Sequence, residues 1–340
     1  MTTLLEVKDL KVYFKTGKRG ILGEQSSAVR AVDGVSFQIR RGETLGLVGE
    51  SGSGKTTLGR AIIRAIEPTE GKMLYYRDEK CIDFNRLNRN RLRTEWRHMQ
   101  MIFQDPYASL NPRMTVRDII AEPLIVNRLA RGENLQELIL ETARQCGLSD
   151  QHMSRYPHAF SGGQRQRIAI ARALVLHPEF IICDEPVSAL DVSIQAQILN
   201  LLLKLQNKLR LTYLFIAHDL TAVAYASDRV AVMYLGQLVE IAATEKLYYT
   251  PKHPYTEALM SAIPPANPNE VMEPVFLEGE RPSQVTPPSG CRFHTRCRYA
   301  THQCKSSMPT LQEFDQDHYV ACHLAKELHL KGAQEYLKVK

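Results

Sequence analysis

The sequence predicts an α/β fold in which parallel strands alternate with helices. Three observations carry that reading. Thr44-Leu45-Gly46-Leu47-Val48 is a short apolar strand that feeds a glycine-rich turn, and a helical pattern over 57–66 follows it. Phe180-Ile181-Ile182-Cys183 and Tyr213-Leu214-Phe215-Ile216-Ala217 are apolar runs of strand length separated by a helix over 193–208. Such runs, buried on both faces and linked through helices, belong to parallel sheets covered on both sides.

The remaining elements follow in chain order. Residues 4–14 alternate apolar and polar as a half-buried strand does, and Val35-Ser36-Phe37-Gln38-Ile39 repeats the pattern. The helix after the glycine-rich turn is expected to stop before Pro68. Residues 86–99 are basic (Arg86, Arg89, Arg91, Arg93, Arg97), with Leu87, Leu92 and Trp96 near helical spacing, and read as an amphipathic helix with a solvated face. Helical patterns recur at Val116 to Leu124, at Leu135 to Cys146 and in a long helix from Arg165 to Leu176. Residues 264–288 hold seven of the 17 prolines and read as an extended linker.

Composition sets outer limits. At roughly 150 residues per domain, 340 residues suggest about two folding units. No apolar run approaches the length that spans a bilayer, and the alternating N-terminus is unlike a secretion signal. Forty-three basic against 37 acidic residues leave +6, which suits a phosphate ligand, nucleic acid or a lipid surface equally. With no signal peptide, the expected compartment is reducing, so Cys291, Cys297, Cys304 and Cys322, gathered in the last 50 residues, suggest metal more than disulfides.

The chemistry starts at Gly49-Glu50-Ser51-Gly52-Ser53-Gly54-Lys55-Thr56, which matches G-x-x-x-x-G-K-[ST] between a strand and a helix, followed by Thr57. Glycines let backbone N–H groups turn toward a β-phosphate, and the helix N-terminus adds partial positive charge. Lys55 then neutralises β/γ oxygens, and the Thr56 hydroxyl ligates Mg²⁺. Asp184 and Glu185 end an apolar strand; one carboxylate can hold Mg²⁺ through water while the next orients an attacking water. Phe160-Ser161-Gly162-Gly163-Gln164 opens a helix, again presenting N–H groups to an anion.

At this point the sequence resembles the ATP-binding subunits of ABC transporters, whose LSGGQ signature is matched with Phe160 in the leucine place. The resemblance covers about residues 4–260. It implies a P-loop ATPase core with an N-terminal antiparallel β-subdomain and a helical subdomain inserted at about 106–162. It also implies that Ser161, Gly162, Gly163 and Gln164 contact the γ-phosphate held by a second subunit, so that two chains sandwich two ATP molecules. Gln104, in Phe103-Gln104-Asp105-Pro106, resembles the loop glutamine that senses Mg²⁺ and the membrane partner. Ser188-Ala189-Leu190-Asp191 resembles the loop crossing the dimer interface, and His218 the histidine that contacts the γ-phosphate. For the aromatic that stacks on adenine, Phe14 aligns best and Tyr13 is the alternative.

Gln104 through Arg113 and His253-Pro254-Tyr255-Thr256 are similar to segments of the oligopeptide/dipeptide importers, and the chain resembles their second, F-type ATPase subunit. That resemblance implies two transmembrane permeases, a sister ATPase (a heterodimer, with a homodimer as the alternative), an extracytoplasmic peptide-binding protein and a place on the cytoplasmic face of the inner membrane. Domains are expected at 1–260 and 261–340, the second being the linker and a cysteine-rich extension. Cys291-x5-Cys297-x6-Cys304-x17-Cys322 could enclose a [4Fe–4S] cluster or Zn²⁺, or be free structural thiols. The missing C-x2–4-C pairs and a similar tail in the importer ATPases favour the iron–sulfur cluster, in a structural role; His294, His302 and His323 could join a zinc site but read rather as surface residues. A nucleic-acid ATPase is the rival class, but the chain has one nucleotide core, no long heptads and no C-x-x-C finger.

Overall fold

A computed structural model describes residues 2–15, 28–264 and 274–333. The chain forms two compact units: Met1–Ile39, Thr44–Asn85 and His218–Lys340 make the first, Arg40–Glu43 and Arg86–Ala217 the second.

The first unit holds two sets of strands. In one, β1 (Thr3–Lys15) lies between β2 (Ala28–Arg40) and β4 (Glu70–Arg77), and β5 (Lys80–Asp83) follows on the edge. β1 and β4 run antiparallel, with Leu5 opposite Tyr75 and Val7 opposite Met73, as the alternating sequence requires. In the other set, β3 (Thr44–Val48) pairs in parallel with β9 (Arg229–Tyr234), and β10 (Gln237–Ala243) turns back antiparallel to β9. Beyond β10 lie β12 (His318–Val320) and β11 (Gln312–Asp315), both contributed by the C-terminal region.

The second unit holds three parallel strands, β6 (Met99–Ile102), β7 (Phe180–Asp184) and β8 (Thr212–Ile216), with β7 in the middle. Every residue of β7 and β8 is buried, which explains their uninterrupted apolar sequences. Helix Val192–Leu209 connects them, started by the Asp191 carboxylate accepting from Ile194 N–H at 3.0 Å and ended by Arg210 at φ 53°. Helices Val116–Val126, Gly132–Gln145 and Gly162–Leu174 lie in the same unit.

Three expectations need correction. The helix after the glycine-rich turn spans Lys55–Ile62, not 57–66. It stops because Arg64 turns left-handed at φ 53°, where its guanidinium donates to Phe84 O at 2.6 Å and pairs with Glu67 at 2.7 Å. The basic segment is a helix only over Arg89–Glu95, capped by the Asn88 side chain, because Met99 already begins β6 opposite Phe180. The sheets are not purely parallel, since the β9–β10 hairpin and the C-terminal strands run antiparallel. Among the described residues no helix is long and apolar enough to cross a membrane.

Candidate functional site

The sequence-derived site residues fall in both units. In the first unit, β3 delivers Gly49 through Thr56 as a tight turn into helix Lys55–Ile62. Gly54 sits at the helix start with φ 108°, and a Cβ there would lie 2.1 Å from Ala31 O. Only glycine fits that backbone. No side chain caps the helix, and a helix start of that kind suits an anion. Lys55 is buried and curls over the loop, its Nζ donating to Gly49 O at 2.7 Å and Glu50 O at 3.0 Å. Ser53 Oγ is buried and has no hydrogen-bond partner among the described residues. A cradle with a cation over it and a buried hydroxyl to satisfy fits a polyphosphate. Thr56 and Thr57 lie half-buried in the first turn of the helix, and His218 is exposed just before helix Leu220–Ala226.

The two aromatic candidates differ. Tyr13 is tied down: its hydroxyl donates to the Asp33 carboxylate, and partial burial together with that carboxylate pushes its phenol up to about 12. Phe14, next to it, is 42% exposed, which leaves it the ring with an open face.

In the second unit, β7 ends in Asp184, which is buried, and Glu185, which is not. Glu185 takes φ 48°, an uncommon conformation for a non-glycine residue. Its N–H donates to Ile216 O at 2.8 Å, and its carboxylate accepts from Gln104 Nε2 at 2.7 Å. The structure thus brings together two residues 81 positions apart. Ser161 caps helix Gly162–Leu174 through a reciprocal pair, Gln164 N–H to Ser161 Oγ at 3.4 Å and Ser161 N–H to Gln164 Oε1 at 3.1 Å. Gly163 packs on Ile194, where a Cβ would meet Cγ2 at 2.4 Å. Asp191 is exposed, and the N–H of Ile194 lowers its carboxyl below the usual range.

Cys291, Cys297, Cys304 and Cys322 line one cavity, together with His253, His294 and His323. Burial raises the thiols of Cys291, Cys297 (to about 11) and Cys322 (to about 12). Yet among the described residues no three His, Cys, Asp or Glu side chains stand close enough to hold a metal ion. The shared cavity agrees with the clustering read from sequence, whereas the metal expected there gains no support from this geometry. His294 and His323, read as surface residues, are half-buried and line the same cavity.

Residues that sequence reasoning passed over surround the phosphate loop on the first unit. Arg296 pairs with Glu50, Tyr255 accepts from Glu50 N–H, and Arg292 reaches the Asp33 carboxylate. The conspicuous His253-Pro254-Tyr255 triplet was the available signal for Tyr255.

Fold and motif array together define an ATP-binding cassette of the ABC type. Among solved structures, the dimeric cassette MJ0796 in a post-hydrolysis state with ADP and Pi matches at a TM-score of 0.60 and 29% identity, over 71% of this chain and 99% of that one. CbiO1 from Clostridium perfringens, part of the cbiONQ transporter complex, matches at 0.61 and 25% identity, over 73% of this chain and 91% of that one. Residues 32–188 match the ABC transporter family, and residues 239–304 match the C-terminal region of oligopeptide/dipeptide transporters. The oligopeptide transport ATP-binding protein AppF of Bacillus subtilis is 50% identical over 95% of this chain and 97% of its own length. The di/tripeptide transport ATP-binding protein DppF of Pseudomonas aeruginosa is 46% identical over 96% of this chain and 99% of its own. The chain belongs to this family of ABC transport ATP-binding proteins.

Proposed function

We propose that the protein is the ATP-hydrolysing, energy-coupling subunit of an importer for di- and oligopeptides, acting as the F-type member of a pair. The observation that carries this reading is the joining of a complete phosphate loop, residues 49–56, to a C-terminal region of the oligopeptide/dipeptide type. The named activities of AppF and DppF support the peptide cargo. In this reading the chain sits peripherally on the cytoplasmic face of the inner membrane. It works with two permeases, a sister ATPase or a second copy of itself, and an extracytoplasmic binding protein. Phe103 and Tyr107 beside Gln104, at 41% and 61% exposure, are apolar surface suited to a permease.

The residues divide the work. Backbone N–H groups of residues 49–56 and the Lys55 ammonium hold the β- and γ-phosphates, and Phe14 stacks on adenine. Thr56, Asp184 and Gln104 are the holders for Mg²⁺, which when bound supplies positive charge opposite the phosphate oxygens. Glu185 orients the attacking water, and His218 steadies the γ-phosphate. The partner's signature segment, equivalent to Ser161–Gln164 here, closes over the nucleotide, and hydrolysis reopens the pair. Exchanging Glu185→Gln is expected to lower turnover in the purified transporter by about 10²–10⁴ while ATP still binds. Hydrolysis at the wild-type rate would overturn the assignment.

For the tail, the spacing Cys291-x5-Cys297-x6-Cys304-x17-Cys322, rather than the geometry, is what points to a [4Fe–4S] cluster in a structural role. Protein purified without oxygen is expected to carry about four irons per chain and a broad visible absorption. Zinc alone, or no metal, would replace this reading.

A further inference from the structure

We propose that the C-terminal region braces the phosphate loop, with Arg296 acting as a positioning residue that neutralises Glu50 and so sets the affinity for polyphosphate. This rests on the reading of residues 49–56 as the ATP site.

Four contacts within the first unit carry it. Arg296 Nη1 donates to both carboxylate oxygens of Glu50 at 3.1 Å. Tyr255 Oη accepts from Glu50 N–H at 2.8 Å. Arg281 donates to Ser51 O, and Gln284 Nε2 donates to Gly52 O at 3.0 Å. The guanidinium of Arg281 lies so near Gly52 that a Cβ on that glycine would come within 3.0 Å of it. Three consecutive residues of the phosphate loop are therefore held by a segment more than 200 positions away.

The brace is itself anchored. Arg296 N–H donates to Phe293 O at 3.0 Å, and Phe293 is buried against Tyr234 and Tyr255, with ring centroids 5.2 and 5.4 Å away. Tyr255 opens helix Pro254–Ser261, its N–H donating to His253 Nδ1 at 3.0 Å. Arg292, four residues before Arg296, donates to Leu235 O and to Asp33, the carboxylate that also takes the Tyr13 hydroxyl.

The physical consequence has two parts. In a trans peptide the N–H points opposite its C=O. Donors on Ser51 O and Gly52 O therefore fix the two peptide planes at the tip of the loop before any ligand arrives. Glu50 is the second part. An uncompensated carboxylate within the loop repels a ligand carrying several negative charges, and the Arg296 guanidinium cancels it through two charge-assisted bonds. The His-Pro-Tyr triplet thereby acquires a task, since it presents the hydroxyl that holds Glu50 from the backbone side.

The test measures equilibrium binding of ATP and ADP to the full-length chain, alongside melting temperature. The set is wild type, Arg296→Ala, Glu50→Gln, the double variant and Lys55→Ala. Arg296→Ala is expected to weaken ATP about tenfold and ADP less, with the loss shrinking in high salt. The double variant is expected to return to within about threefold of wild type, because removing the carboxylate removes the repulsion. A role in packing alone would not be rescued by Glu50→Gln. The proposal fails if Arg296→Ala binds ATP within twofold of wild type while Lys55→Ala does not, or if the double variant stays as weak as the single. Should Arg296→Ala melt markedly earlier, the exposed Arg281→Gln decides: about threefold weaker ATP binding supports the brace, and unchanged binding overturns it. Wild type that does not bind ATP, or Lys55→Ala that binds it normally, would remove the nucleotide reading itself and the brace with it.

Discussion

Two helices of this protein start at glycine-bearing loops, and only one of them carries a side-chain cap. Helix Lys55–Ile62 starts at Gly54, with φ 108° and no side-chain cap. Helix Gly162–Leu174 starts at Ser161, with ordinary extended φ and ψ and a capping box closed by Gln164. The first start has no side-chain cap and depends on a backbone that only glycine takes without strain. The second closes the N–H groups of Gln164 and Ser161 on each other's side chains within the chain. In the proposed cycle the first helix binds nucleotide from within the chain, and the second waits for nucleotide held by a partner.

The largest consequence falls on the glycines. Gly54→Ala puts a methyl 2.1 Å from Ala31 O at a φ that side chains avoid, and is expected to cost about 3 kcal/mol or more. Gly162→Ala brings its methyl to 3.1 Å from Leu190 Cδ2, the tip of a flexible side chain, and is expected to cost less than about 1 kcal/mol. Denaturant midpoints measure both. Equal losses would erase the distinction between the two helix starts.

The same contrast explains what could be read from sequence. The phosphate loop was legible because its chemistry is local: strand, turn and helix lie within 20 residues, and each glycine has a backbone reason. The apolar strands 180–184 and 212–216 were legible because strands buried on both faces leave continuous runs. β6 was not, since its four residues sit at the end of a basic segment whose spacing imitates a helix. β11 and β12 were not legible either; their sequences are short and mostly polar, and only the pairing of β12 with β10 and of β11 with β12 makes them strands. The Gln104–Glu185 bond and the Arg296–Glu50 pair are tertiary facts without a local pattern.

Behind the phosphate loop, the comparison predicts a pH signature. His253 is fully buried, and burial lowers its pKa from 6.5 to about 3, so the folded protein keeps it neutral. The folded-state pKa lies below the unfolded one, so acid favours the unfolded chain. The contribution is complete above about pH 6.5 and is lost as pH falls toward 3, at up to about 1.4 kcal/mol per pH unit. His253→Asn keeps an oxygen that can accept from Tyr255 N–H and is expected to flatten that part of the profile. Melting temperatures of the two proteins between pH 7 and 4 make the comparison. Parallel acid profiles would mean that His253 is not the group responsible.

The smallest expected effect tests the second helix start, and it separates the cap from the phosphate contact. Ser161→Ala removes the oxygen that accepts from Gln164 N–H and should cost about 1 kcal/mol of stability. That result alone says only that the serine is a cap. Ser161→Asp restores an N-cap acceptor, and its charge suits the positive end of the helix, so stability should return to within a few tenths of a kcal/mol of wild type. The same carboxylate would stand where the proposed cycle brings a partner's γ-phosphate, and like charges at that distance repel. Hydrolysis by the assembled transporter is therefore expected to fall in Ser161→Asp although the helix is intact. A stable Ser161→Asp protein that hydrolyses ATP normally would show that this helix start serves the fold alone.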